Sequence, residues 1–241
     1  MNKLEFNRRT VLLGAGAAAT SLATGTTARA ADPVKVGVLF PLTGNAAAAG
    51  QASKAAVEIA AEIINNPHPE LANIPLAKDA GLPGLGGAKL ELTFIDHQGN
   101  PSVAQQQALR LITQDKMNVL FGAYHSSCTF TATPIAERYG VPFVVGDSAA
   151  LNITGRGFKW VFRVTPIASD YAATYMRFFG DMKKAGHKIG SIAIVNENTD
   201  YGTSVGDAIE AAAKQNGMPV AIRIPYSAST TDVSAQVLQL K

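Results

Sequence analysis

The sequence predicts an α/β fold built on parallel sheets, and three observations carry that reading. Short apolar runs alternate with helix-period segments along the chain after residue 30, the pattern of strands joined by crossover helices. The alternation runs to about residue 163 and then begins again, so a second unit repeats the architecture of the first. Residues 119–129 read Val-Leu-Phe-Gly-Ala-Tyr-His-Ser-Ser-Cys-Thr, an apolar strand that breaks at Gly122 and turns through small hydroxyl residues into a helix.

That turn lies at a strand's carboxyl end, where open parallel sheets bind ligands. Ser126, Ser127 and Thr129 fall where backbone N–H groups lack intrahelical partners and the helix dipole is positive, an arrangement suited to a small anion such as a carboxylate. Ser127 or Thr129 would serve equally as an ordinary helix cap. Three hydroxyls in four positions favour binding.

The remaining elements follow in order. A strand at 35–40 leads through Pro41-Leu42-Thr43-Gly44 to a helix over 51–64, with Ala56, Ile59, Ala60, Ile63 and Ile64 expected on its buried face. Residues 65–87, rich in Pro and Gly, read as an irregular exposed insertion. A strand at 89–96, a turn at Gly99-Asn100-Pro101 and a helix over 102–114 come next, Pro101 suiting the first helical turn. After the 119–139 strand and helix lie strands at 142–145 and 158–163, separated by the loop Gly146-Asp147-Ser148-Ala149. The second series has a helix at 169–185, a strand at 191–196, a helix at 201–216, a strand at 220–225 and an amphipathic helix from about 231 carrying Val233, Val237, Leu238 and Leu240.

Residues 1–30 read as a signal peptide: Asn7-Arg8-Arg9-Thr10-Val11-Leu12, a short Ala/Gly-rich apolar run, then Ala28-Arg29-Ala30. The adjacent arginines and mild hydrophobicity resemble a twin-arginine signal, with an ordinary secretory signal as the alternative. Cleavage near Ala30 would leave the mature protein in a periplasm. Hydrophobic residues make up 47% of the chain and charged residues only 16%, a globular composition. The formal net charge of +3 comes mostly from Lys3, Arg8, Arg9 and Arg29, so no basic face argues for nucleic acid. Cys128 is the single cysteine. It excludes an intramolecular disulfide and is expected to be a small buried residue.

Five marks taken together resemble the periplasmic receptors of ABC importers for branched-chain amino acids and related amides. They are Val36-Gly37-Val38 to Gly44, Asp96 to Pro101, Gly122 to Thr129, Arg156-Gly157-Phe158 to Arg163, and Asp200-Tyr201-Gly202. The resemblance implies a type I periplasmic binding fold: two Rossmann-like lobes with parallel sheets that close over the ligand about a hinge. It places the first lobe at residues 31–165 and a partial second lobe at 166–241, with the chain expected to be a fragment of a longer receptor. It also implies a small-molecule ligand, an amino acid or amide, delivered to membrane permease and ATPase subunits, with no cofactor and no catalytic role. Ser126 matches the hydroxyl that holds the ligand's carboxylate, with Tyr124 and His125 lining the same turn. Asp147, Ser148 and Ala149 match the next strand-end loop, and Tyr201 an aromatic residue that closes over the ligand from the second lobe.

The departures from the family pattern are specific. Ala49 stands where well-known members carry an aromatic residue. Gly99 and His125 replace a pair of cysteines bridged in some members, and Ala149 replaces a hydroxyl residue. Asp147 adds a carboxylate that would suit an amine, although Asp after a strand is as often a turn residue. The acidic residue that holds the ligand's ammonium falls beyond Lys241 in family order.

Three rival readings remain. A dehydrogenase would need G-x-G-x-x-G after the first strand, which is not present, and a hydrolase a G-x-S-x-G elbow between a strand and a helix, whereas the one match, Gly202 to Gly206, falls inside the helix expected over 201–216; His125 and Cys128 would be the residual base and nucleophile of an enzyme. His97, His125 and Cys128 would be the donors of a metal site. A periplasmic sensor that passes ligand occupancy to a signalling partner would share the whole architecture.

Overall fold

The computed structural model describes residues 31–240; the leader at 1–30 lies outside the described residues. Five parallel strands form one sheet: β1 (Val34–Phe40), β2 (Leu90–Asp96), β3 (Val119–Gly122), β4 (Phe143–Val145) and β5 (Val161–Arg163), in the order β2-β1-β3-β4-β5. A second sheet holds β6 (Ile192–Glu197) and β7 (Val220–Tyr226), also parallel. The helices are α1 (Ala47–Asn65), α2 (Pro101–Thr113), α3 (Ser126–Tyr139), α4 (Ala168–Lys184), α5 (Asp200–Gln215) and the short α6 (Ser234–Leu238). This is the expected α/β fold with parallel sheets.

The central strand is nearly continuous in apolar residues because both its faces are covered. Val38, Leu39 and Phe40 of β1 are fully buried. On one face α2 and α3 pack Ala104, Ala108, Leu111, Ala132 and Ala136 over Leu120, Phe143 and Val145. Small residues on the helices let them approach the sheet closely. On the other face α1 lies against β1 and β2.

Local chemistry sets the helix boundaries. The Asn100 side chain accepts hydrogen bonds from the N–H groups of Ser102 and Val103, at 2.9 and 3.3 Å, and Pro101 occupies the first turn, so α2 starts where its orphan donors are met. Gly140 ends α3 in the left-handed conformation, φ 65°. Arg156 fixes α3 from outside: its guanidinium lies between the rings of Phe130 and Phe158, at 4.2 and 4.4 Å from their centroids, and donates to the Thr133 hydroxyl at 2.6 Å.

Three expectations are corrected. Helix α1 begins four residues early and turns a different face inward: Gly50 and Ala61 are buried, whereas Ile59 is 60% exposed. An alanine-rich helix has apolar residues all round, so periodicity does not choose its inner face. The 65–87 segment is more ordered than a free insertion, with three 3₁₀ turns and a return to the fold through Gly81 N–H to Ile64 C=O at 2.7 Å. The last helix is only five residues long, and Val233, Val237, Leu238 and Leu240 are all exposed. No described helix is long and apolar enough to cross a membrane.

Candidate functional site

The sheet order reverses at β1: its chain leaves toward β2 on one side and returns as β3 on the other, so the loops after β1 and β3 diverge and leave a crevice. A cavity of about 530 Å³ opens there. Its wall combines Asn45, Ala46, Ala48 and Ala49 at the start of α1, Tyr124 to Ser127 at the start of α3, and Asp147 after β4. From the second sheet's side come Glu197, Thr199 and Tyr201 around the start of α5, with Tyr171 and Ala228.

The α3 turn is built to leave donors free. Strand β3 ends at Gly122, φ 136°, where a Cβ would stand 2.3 Å from the carbonyl oxygen of Leu39, so no side chain fits. Tyr124 is held at φ 65°, an uncommon conformation for a bulky residue. No side chain caps α3. The first intrahelical bond runs from Thr129 N–H to His125 C=O, so the N–H groups of Ser126, Ser127 and Cys128 precede the helical ladder. With the dipole added, this is an anion-attracting end.

The residues singled out in the sequence divide into two groups. Tyr124, His125, Ser126, Asp147 and Tyr201 line the cavity. Ser148 and Ala149 lie behind its wall, both buried. The Ser148 hydroxyl donates to Tyr124 C=O at 3.0 Å and meets the Thr129 hydroxyl at 2.6 Å, while Ala149 C=O accepts from Ala168 N–H at 2.9 Å. Thr129 is likewise buried, accepting from Ala123 N–H at 3.1 Å. Ser126 is 2% exposed, and its oxygen accepts from Ala150 N–H at 3.3 Å.

Sequence reasoning missed Glu197, Thr199 and Tyr171. Glu197 ends β6, and its carboxylate takes the hydroxyl hydrogen of Thr199, whose oxygen accepts from Gly202 N–H at 3.3 Å. The signal was available: Thr199 three residues before Gly202 at a strand-to-helix turn is a cap pattern. Burial raises the Asp147 carboxyl above its ordinary value, although the residue is exposed along the cavity wall. Burial also raises the Tyr201 phenol, with Tyr171 and Glu197 nearby adding to the effect.

His97, His125 and Cys128 place one donor atom each within 4.8 Å of one another. His97 is already engaged on both nitrogens: Nε2–H donates to Ala123 C=O at 2.8 Å, and Nδ1 accepts from Gly99 N–H at 3.1 Å. Burial pushes the Cys128 thiol up to about 12. The set therefore offers neither a free His97 lone pair nor a ready thiolate, and does not fit a metal ion as it stands. The same thiol is a poor nucleophile. Gly99 and His125, the pair that replaces two cysteines, do lie side by side, with the imidazole 3.3 Å from where a Gly99 Cβ would be.

The chain is an α/β protein with a ligand-sized crevice at the switch point of its parallel sheet, faced by the carboxyl ends of a second parallel sheet, the place where such sheets bind small molecules. The chain belongs to the periplasmic binding protein family, whose model matches residues 33–241. It is 32% identical over 235 residues to Leu/Ile/Val-binding protein homolog 8 of Brucella suis biovar 1 (strain 1330), covering 96% of this chain and 54% of the relative. Among solved structures it is similar to a leucine binding protein from Thermotoga maritima, TM-score 0.70 and 24% identity, covering 86% of this chain and 53% of that one. It is also similar to a solute binding protein of an ABC transporter from Rhodopseudomonas palustris BisB5 in complex with 3,4-dihydroxybenzoic acid, TM-score 0.70 and 20% identity, covering 87% and 51%. The fold is thus that of the type I periplasmic binding proteins. The chain spans about half the length of the curated relatives it matches.

Proposed function

We propose that the protein is an extracytoplasmic solute receptor that binds an amino acid or related small carboxylate between two lobes, residues 31–165 and 166–241, and delivers it to the permease and ATPase of an ABC importer. The observation that carries the reading is the cavity itself, bounded by the starts of α1, α3 and α5 and drawn from both sheets. Family membership supports it, as does the name of the Brucella relative. Ser126 and Ser127 hold the ligand's carboxylate, Asp147 its ammonium, and Tyr124, His125 and Tyr201 enclose it. The leader at 1–30 directs the chain to the periplasm.

An aromatic acid is a second reading, favoured by the cluster of Tyr124, Tyr171 and Tyr201 and by the ligand of the Rhodopseudomonas palustris neighbour. A thermal-shift screen of the mature protein, expressed from its complete gene, against amino acids, amides and aromatic acids separates the two. Ser126→Ala is expected to weaken binding of the best solute by about 1.5–3 kcal/mol, the range for a hydrogen bond to a charged group. Stabilisation by none of these solutes would overturn the receptor reading.

A further inference from the structure

Resting on that reading, we propose that the solute is a basic amino acid, carrying a second cationic nitrogen at the end of its side chain. The cavity wall holds two carboxylates, Asp147 and Glu197, and among the described residues neither lysine nor arginine lines it. The two stand on opposite sides. Asp147 follows β4 in the five-stranded sheet, and Glu197 ends β6 in the two-stranded one.

Neither carboxylate has a lysine or arginine partner, and although His125 on the same wall feels the charge of Glu197, burial holds its imidazole below the ordinary value, which favours the neutral form. Nothing among the described residues pairs with Asp147, and burial alone acts on its carboxyl. Glu197 takes one hydroxyl hydrogen, from Thr199. The start of α5 does not account for it, because Thr199 supplies the cap. A solute that displaces water from this space has to bring positive charge to both carboxylates, since leaving one dry and unpaired is costly. Benzoate would bring a third negative charge, and leucine would match only one of the two.

The order of groups around the cavity fits one molecule. Strands β3 and β4 are neighbours, so the start of α3 and Asp147 lie in adjoining loops, placed for an α-carboxylate and an α-ammonium. The side chain then crosses toward Glu197, beside which Tyr171 and Tyr201 stand. Tyrosine rings beside a carboxylate are groups that attract ammonium or guanidinium.

Calorimetry of the mature protein with L-arginine, L-lysine, L-leucine and benzoate tests this. The expected result is that arginine or lysine binds tighter than leucine by roughly tenfold or more, the size of one charge-assisted pair, and that benzoate gives no heat. Glu197→Gln is expected to remove that preference, weakening arginine and lysine by roughly tenfold or more and leucine by less. Because Glu197 supports the start of α5, thermal unfolding of the variant is followed in parallel. The wild-type protein gives an independent check, with added salt weakening the basic amino acid more than leucine. Tighter binding of leucine or benzoate than of both basic amino acids would overturn the proposal and leave the receptor reading standing. Silence from every small solute in a folded protein would overturn both.

Discussion

The hydroxyls of Thr129 and Ser148 meet at 2.6 Å inside the wall of the cavity, joining the first turn of α3 to the loop after β4. Ser148 donates to Tyr124 C=O, while the Thr129 hydroxyl accepts from Ala123 N–H and also reaches His125 C=O at 3.2 Å. One chain of hydrogen bonds thereby holds Ala123, Tyr124 and the α3 turn in register behind the residues that face the solute.

Thr129→Val keeps the shape and removes the hydroxyl, leaving Ala123 N–H buried without its acceptor. Stability is expected to fall by about 1–3 kcal/mol, the cost of an orphaned buried donor. Denaturant unfolding measures it. A midpoint equal to wild type would show that the chain of bonds contributes nothing.

Cys128 is expected to react slowly with a thiol reagent in the folded protein and fast once unfolded, because it is fully buried and its thiol is pushed up to about 12. Stopped-flow labelling with and without denaturant checks this. Rapid labelling of the native protein, blocked by solute, would contradict it.

Most of the fold was legible because each strand carries its own apolar run and each turn its own Gly, Pro or hydroxyl signal. The α3 turn could be read from Gly122, Ser126 and Ser127 alone. The inward face of α1 could not, since alanine gives no contrast between faces. Nor could the sequence tell Ser126, which lines the cavity while its oxygen accepts from Ala150 N–H, from Ser148 and Thr129, which lie behind the wall. That distinction depends on how β3 and β4 are juxtaposed. Glu197 escaped for a similar reason: only the approach of the second sheet brings it to the cavity.

Asp96 should make stability fall in acid. Its carboxylate clips the loop after β1 to β2, accepting from Leu42 N–H at 2.9 Å, Gln98 N–H at 2.8 Å and the Thr43 hydroxyl at 2.5 Å. Burial raises this carboxyl, but Thr43, Gln98 and Leu42 outweigh it, so it lies below its ordinary value. A depressed folded value means the contribution is present above the unfolded carboxylate range and is lost as pH falls through the folded value. Asp96→Asn is expected to cost roughly 1–2 kcal/mol at neutral pH, with the difference from wild type shrinking on acidification. Melting temperatures across the acid range measure it, and a gap that stays constant or widens would sink the assignment.

Gly202→Ala should disturb the second wall of the cavity. A Cβ there would lie 2.2 Å from Glu197 O and 2.5 Å from Glu197 Cγ, distances at which the start of α5 must back away or Glu197 must move. Such overpacking costs about 1–3 kcal/mol, partly offset by the roughly 1 kcal/mol that alanine gains over glycine in a helix. Gly180 in α4 supplies the control, because its added Cβ would meet nothing within 4 Å. Gly180→Ala is expected to raise stability by up to about 1 kcal/mol with solute affinity unchanged. Gly202→Ala should instead lower affinity for whichever solute binds, since Glu197, Thr199 and Tyr201 all sit at that junction. Thermal unfolding and calorimetry on both variants decide it. Wild-type affinity in Gly202→Ala would mean that the close approach of α5 to β6 is packing alone, with no part in shaping the site.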